Sequence, residues 1–293
     1  MPAPLLLLDC NYLCWRAHFS HGHLSYGDFQ TGVIFGFLKD LIDFQDRFLP
    51  GAIALCFDKG PLNRERDYPA YKLARKLKYE NASEEDKAFK EHFDEQVREL
   101  RTNYLKRLGY RNIFWQSGYE ADDIIGWFCT SDKFSRVRKI IISSDKDYYQ
   151  LLNNRTSIYS PGSKGRLVTQ NWLTRFFGIE ASQFIDAKAL AGCKTDGIEG
   201  IQGVGIKTAC KFLQGTLPPK TKAFKRIVEG NKIWERNRHL VKLPYPGVKP
   251  MVIRRDKVNA TSWEQLAKQL GMKSIVDKHP GKKRKRGLGV YNA

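Results

Sequence analysis

No apolar run in this chain approaches the roughly 20 residues that a membrane-spanning helix requires, and no lipidation motif is present. A membrane partner therefore has no support in the sequence. The six cysteines, at 10, 14, 56, 129, 193 and 210, form no CxxC pair, which excludes a zinc ribbon or a dithiol redox motif. Cys10, Cys56 and Cys129 lie in or beside apolar segments and read as reduced core residues. The six histidines have no HxxxH or HExxH spacing, which disfavours a zinc hydrolase of that kind. MPAPLLLLDC at the start has a short apolar run but no basic leader, so no signal peptide is expected and a cytoplasmic location is. Acid is the scarcer charge. Fifty Lys and Arg against 31 Asp and Glu leave a net +19, which points to a polyanionic partner, nucleic acid first. With 293 residues, 42% of them hydrophobic, the chain can bury a sizeable core as one large domain or a domain with an appendage.

Three short apolar runs each end in aspartate. PLLLL (4–8) meets Asp9, AIALCF (52–57) meets Asp58, and KIIISS (139–144) meets Asp145. Continuous apolar runs of this length suit strands buried on both faces. Between the first two, Val33, Phe37, Leu41 and Phe44 have helical spacing over 31–49, so the order strand, helix, strand predicts an α/β fold. Its centre is a mostly parallel sheet flanked by helices. Ligands of such sheets gather beyond the carboxyl ends of the strands. One aspartate after a strand is ordinary turn chemistry. Three at one edge repel one another unless cations neutralise them.

The stretch Gly118 to Leu152 adds more acid. Glu120, Asp122 and Asp123 precede the helical run IIGWF, and Asp145 and Asp147 precede YYQLL. Capping of helix N-termini explains either group alone. Both groups in one short span, beside Asp9 and Asp58, point to a metal site.

Residues 59–79 read as a basic loop in which Tyr71, Lys72, Arg75, Lys76 and Lys78 interleave an aromatic with cations, a pattern suited to single-stranded nucleic acid. Ser83 to Asp86 reads as a capping box, opening a helix over 84–108 with the apolar stripe Phe89, Phe93, Val97, Leu100 and Tyr104. SIYS (157–160) is expected as an edge strand and 171–177 as a short helix, with another helix ending at 186–192. Gly197, Gly200, Gly203 and Gly205 then form a tight hairpin feeding a helix N-terminus, where backbone N–H groups can hold a phosphate; taken alone, such a turn is equally a connector. Helices are expected at 221–242 and 261–271, with Pro244, Pro246 and Pro250 in the loop between. HPGKKRKR (279–286) is a charge run expected in a disordered tail.

Taken in order, LLLLDCNYLCWRA, CFDKG, YPAYKLAR, GYEADDIIG, SSDKDYYQLL and GIEGIQGVGIKTACKFL resemble the structure-specific 5' nucleases: flap endonucleases, phage 5'-3' exonucleases and the 5' nuclease domain of bacterial DNA polymerase I. The resemblance covers about residues 4–245. It implies a nuclease core over 1–180 with a helical arch at about 72–105, a helical region over 181–277 containing a helix-three-turn-helix that grips duplex DNA, and a basic tail over 278–293. It also implies two Mg2+ (or Mn2+) ions. The first is held by Asp9, Asp58, Glu120, Asp122, Asp123 and Asp145, and the second by Asp145, Asp147 and Asp196. Lys72 and Arg75 are the implied cations on the transferring phosphate, and Tyr71 is expected to stack on an unpaired base. Lys76, Lys78, Gly203, Val204, Gly205, Lys207 and Thr208 complete the implied DNA contacts, with K+ held by the 197–208 hairpin. The expected substrate is branched or 5'-ended DNA, cut by 5'-3' exonuclease or flap endonuclease action to leave 5' phosphates. A monomer acting beside replication proteins in a phage or bacterial cytoplasm is expected, without an attached polymerase.

Two other readings stand beside this one: a branched-DNA-binding protein with weakened turnover, and an RNA nuclease of PIN-like architecture, against which the hairpin and the basic arch argue. One position departs from the family pattern. The family usually carries Gly-Asp-x-x-Asp-Asn before the hairpin, whereas this chain reads Gly192-Cys193-Lys194-Thr195-Asp196-Gly197. Magnesium prefers hard oxygen ligands, and a thiol is a poor substitute. Weaker binding of the second ion is the expected result. Cys193→Asp should therefore shift the activity curve to lower Mg2+; a curve that superimposes on that of the parent protein rejects this expectation.

Overall fold

The computed structural model describes residues 3–162 and 165–280. The chain divides into two compact units, each assembled from separated segments. The first takes in the described residues of 1–13, 50–91 and 112–253, the second those of 14–49, 92–111 and 254–293. A boundary at 180/181 thus falls inside the first unit, and residues 281–293, most of the expected tail, lie outside the described residues.

A six-stranded sheet forms the first unit's frame, in the order Ile113–Phe114, Ala52–Cys56, Leu5–Asp9, Lys139–Ile142, Thr156–Ser160 and Arg166–Val168. Every pairing is parallel except the last. The apolar runs form strands buried on both faces, as their continuous Leu, Ile and Ala composition dictates. Leu8 is in register with both Leu55 and Ile142, so three aspartate-bearing strand ends finish side by side. Thr156–Ser160 is not the edge strand that its sequence suggested. Arg166–Val168 pairs antiparallel along its outer side, a contact invisible to local patterning.

One sheet face carries Leu5, Leu7, Ala54, Ile141 and Ile158, packed in a core with Ile124, Ile125 and Phe128 of the helix Ala121–Thr130 and with Tyr148 and Phe184. Burying each such aliphatic side chain contributes about 1.5–3 kcal/mol. Residues 59–79, expected as a loop, contain the helices Asn63–Asp67 and Leu73–Glu80. They lack an apolar stripe but are rich in Leu, Ala, Arg, Lys and Glu, which propagate a helix without one. Leu73–Glu80 buries none of its residues. Beyond the sheet come the helix Phe184–Ala191, a small antiparallel pair of Gly192–Cys193 with Ile198–Glu199, and the helix Ile206–Leu213. The helix expected over 221–242 is two, Lys222–Glu229 and Asn231–Val241, parted at Gly230.

In the second unit the helix Gly32–Phe48 buries Val33, Phe37, Leu41 and Phe44. Its first N–H groups find no capping side chain at Thr31 and donate instead to Gln96 Oε1, 3.0 Å from Val33 N. Gln96 lies in the helix Glu84–Glu99, which opens with Asp86 N–H donating to Ser83 Oγ at 3.1 Å. Phe93, Val97, Leu100 and Tyr104 of the expected stripe are buried, whereas Phe89 is exposed. Trp15 stacks on Phe93 with ring centroids 3.9 Å apart. Among the described residues no helix is long and apolar enough to cross a membrane.

One buried ion pair ties the first unit's helices together. The Arg64 guanidinium meets Asp123 in a fork, Nη1 to Oδ2 at 2.6 Å and Nη2 to Oδ1 at 2.7 Å, while Nε donates to the Leu240 carbonyl at 2.8 Å. The Tyr245 N–H donates to Asp123 Oδ1 at 2.8 Å and Glu120 N–H to Oδ2 at 3.2 Å, so neither oxygen of this fully buried carboxylate is idle. Removing one member of such a pair strands the other charge in a low-dielectric interior. Arg64→Ala should therefore lose about 3–5 kcal/mol of stability in urea unfolding; a midpoint equal to that of the parent protein would show the pair to be dispensable.

Candidate active site

Adjacent parallel strands bring Asp9, Asp58 and Asp145 to one edge of the sheet, as their strand-end positions required. Each carboxylate is held in place. Asp9 Oδ1 accepts the Tyr12 N–H at 3.1 Å, and its Oδ2 accepts Ser143 Oγ at 3.1 Å and the Tyr148 hydroxyl at 3.0 Å. Asp58 Oδ1 accepts the Ala121 N–H at 2.8 Å, which fixes the strand end to the start of the helix Ala121–Thr130. Asp145 Oδ1 accepts the Asp147 N–H at 2.8 Å and caps the short helical turn Lys146–Leu151.

At this edge burial outweighs the positive charge that reaches the acids from Lys72, Arg64 and Lys188. Burial raises the Asp9 carboxyl to about 6, with repulsion from Asp145 adding to it and the three hydrogen bonds opposing it. Burial likewise takes Asp58 to about 7, with Glu120 and Asp9 repelling it, and Asp145 to about 6, with Asp147 repelling it. Asp122 is raised well above the usual carboxylate range, by burial and then by Asp123 and Glu120. Its Oδ1 is buried with no hydrogen-bond partner. A buried, unsatisfied carboxylate oxygen is costly, and a cation is the usual remedy. Tyr148 is fully buried and donates to Asp9, and its hydroxyl is pushed well up by burial first and then by the charges of Asp9, Asp122 and Asp145.

The remaining acids are already paired. Glu120 receives the Lys72 ammonium on Oε1 and the Tyr71 hydroxyl on Oε2, the latter at 2.6 Å. Burial of Glu120 is outweighed by the charges of Lys72 and Arg64, so its carboxyl is held below the usual range. Asp147 is paired with Lys188, and Asp196 accepts Arg75 Nη2 at 2.9 Å. Among the described residues no three Asp, Glu, His or Cys side chains are drawn into a ready-made metal cage.

Lys72 reaches this site through a left-handed backbone at φ 53°, and its N–H donates to the Asp196 carbonyl at 2.8 Å. The approach is close enough that a Cβ at Gly197, φ +70°, would lie 2.3 Å from the Ala70 carbonyl oxygen, a place only glycine can take. Arg75 is exposed, and its Nε donates to the Thr195 carbonyl at 2.9 Å. Lys76 pairs with Glu65 at 2.5 Å and Lys78 is exposed. Tyr71 departs from its expected part. Only 5% exposed, it packs with Ile185, Ala189 and Leu240, because its ring completes a small core while its hydroxyl serves Glu120, and no face is offered to a base. Asp123 departs too, since Arg64 and two backbone N–H groups occupy both its oxygens. Gly203, Val204 and Gly205 lead into the helix Ile206–Leu213, whose first residues include Lys207 and Thr208, and they line a cavity of about 790 Å³ with Gly197 to Gln202. Gly203 has φ +77°.

Three site residues escaped sequence reading. Arg64 is one cation among many in a basic segment, and Tyr148 is one aromatic in YYQLL; nothing local marks either. Lys188 left a faint signal, as the one cation in the otherwise apolar and acidic run FIDAKALA.

Known proteins share both the sequence pattern and this architecture. The DNA polymerase I of Thermus thermophilus is 30% identical over 232 residues, 78% of this chain and 26% of that protein. The DNA polymerase I of a Synechocystis strain is 31% identical over 225 residues, 71% of this chain and 22% of that protein. The chain thus spans about a quarter of the length of these curated relatives. Among solved structures, T5 5'-exonuclease with divalent metal ions (zinc) superposes with a TM-score of 0.70 at 23% identity, covering 82% of this chain and 89% of that one. The bacteriophage T5 D15 flap endonuclease, in a pseudo-enzyme-product complex with DNA and metal ions, gives a TM-score of 0.70 at 21% identity over 93% and 96% of the two chains. Human GEN1 with Holliday junction DNA gives 0.55 at 14% identity, covering 92% and 68%. Residues 4–178 match the family described as "5'-3' exonuclease, N-terminal resolvase-like domain", and the chain belongs to that family.

Proposed function

We propose that this chain hydrolyses DNA phosphodiesters near free 5' ends, as a 5'-3' exonuclease and flap endonuclease that leaves 5' phosphates. The observation that carries this reading is the alignment of the strand ends that bear Asp9, Asp58 and Asp145 along one sheet edge, with a buried oxygen of Asp122 left without a hydrogen-bond partner. Hard carboxylate oxygens crowded in this way fit Mg2+, or Mn2+, better than any soft metal. Asp9, Asp58, Asp122 and Asp145 would hold a divalent ion, which when bound would lower the pKa of a water and stabilise charge at the phosphate.

The chain's own residues do the rest. Lys72 is a fixed cation at the edge of the carboxylate group, restrained by its backbone contact to Asp196 and its pairing with Glu120. Arg75, half out in solvent on the same segment, offers a planar donor fork suited to a phosphate. Preplaced cations of this kind stabilise charge that develops in the transition state. Asp123 serves the site indirectly, by locking Glu120 and the helix Ala121–Thr130 to Arg64. The exposed helix Leu73–Glu80 and the start of Glu84–Glu99 form the arch that admits the 5' strand, with Lys76 and Lys78 along it. The turn Gly203 to Gly205 and the N-terminus of Ile206–Leu213 correspond to the helix-three-turn-helix, where Lys207 and Thr208 hold duplex phosphates and backbone oxygens accept K+. Branched or 5'-ended DNA is the substrate, in replication and repair, with the protein a cytoplasmic monomer meeting replication proteins. Weakened turnover in a branched-DNA-binding protein is the second reading, favoured by Cys193 alone.

Asp145→Asn should abolish cleavage of a 5'-flap duplex in Mg2+ and in Mn2+ while leaving its binding to that duplex intact; cleavage near the parent rate refutes the site. Lys72→Ala should lower kcat by about 10²–10³ with little change in binding, the scale of a lost transition-state donor. Loss of binding instead would assign Lys72 to substrate capture.

A further inference from the structure

The two acidic groups at the sheet edge are neutralised differently. Asp122 keeps a buried oxygen without a hydrogen-bond partner, whereas Glu120, Asp123, Asp147 and Asp196 are each ion-paired. Lys188 projects from the helix Phe184–Ala191 with its side chain only 13% exposed, and its ammonium pairs with Asp147. The same charge acts on Cys193 and Asp145. It therefore stands among three of the four positions at which the second ion of the family would find its ligands. The fourth, Asp196, has both oxygens engaged from within the chain. Oδ1 takes Arg75 Nη2 at 2.9 Å, and Oδ2 accepts the Cys193 thiol at 2.9 Å.

The balance of charge explains why this arrangement suits this sequence. Asp147 and Asp196 are matched by Lys188 and Arg75, and Cys193 contributes a neutral thiol where the family carries a further carboxylate. An aspartate at 193 would leave one negative charge unmatched and one hard oxygen available, which is what a second Mg2+ needs. A thiol supplies neither. The residues around Lys188 therefore do not fit a second divalent ion.

We propose that the ammonium of Lys188 is the resident second cation of this site, so that the chain is built for one divalent ion rather than two. The inference rests on the reading of the sheet-edge acids as a metal centre. It differs from a merely weak second site, because it names the group that occupies the position and the pair of changes that should reopen it.

Mn2+ binding to the full chain without DNA tests the proposal independently of catalysis, by electron paramagnetic resonance of the free ion and by calorimetry. The parent protein should bind one Mn2+ tightly, with any second ion weaker by more than the roughly 10- to 100-fold that loss of an outer partner costs a metal site. Lys188→Arg, which keeps the charge, should also bind one. The double variant Lys188→Met with Cys193→Asp, its fold checked by circular dichroism, should bind two. A parent protein that takes two ions of similar affinity overturns the proposal, and so does a folded double variant that still takes one. A parent protein that binds no Mn2+ overturns the metal centre itself and this inference with it, whereas one ion lost in Asp145→Asn leaves the centre standing.

Discussion

Crowding of like charge at the carboxyl edge of a parallel sheet is the constraint on which this structure turns. Parallel pairing places Asp9 beside Cys56 in register and aligns Leu8 with Ile142, so the acids that follow cannot avoid one another. Burial then removes the water that would screen them. Three segments each bring a cation to one of the acids near this edge. Asn63–Asp67 brings Arg64 to Asp123, the turn after it brings Lys72 to Glu120, and Phe184–Ala191 brings Lys188 to Asp147. Asp122 keeps one buried oxygen that no hydrogen-bond donor reaches.

Neighbouring acids of the same helix start are thereby satisfied to different degrees. Asp123 is fully satisfied and fully buried, and its value is rigidity. Asp122, one residue earlier, has an oxygen with no partner. Successive residues of a helix start point about a third of a turn apart, so one of the pair can serve the interior and the other the sheet edge. The same segment shows why composition misleads about role: Tyr71 sits among cations in the sequence, yet its ring belongs to a small core and its hydroxyl to Glu120.

Legibility followed the range of the interactions. The three buried strands, the helix Gly32–Phe48 and the Ser83 cap rest on local patterning, and local patterning revealed them. Asp9, Asp58 and Asp145 were readable as one group because strand ends of a parallel sheet must meet. The helices within 59–80 were missed because their faces are polar, and the strand Arg166–Val168 because three residues carry too little pattern. Arg64 and Lys188 find their partners 59 and 41 residues away, distances over which no spacing rule operates.

By itself the sequence determined the acidic edge, the basic balance and the thiol at 193, since composition and strand-end position are properties of the chain alone. It determined the family as well, through motifs whose residues lie close together in the chain. Only the tertiary structure decided which acids are paired and which remain open. Pairing depends on which cation is carried into hydrogen-bonding distance of which carboxylate, and that is settled by helices packing from far along the chain. Asp122 and Asp123 are adjacent and of the same type, and the fold alone paired one with an arginine and left the other a buried oxygen without a hydrogen-bond partner.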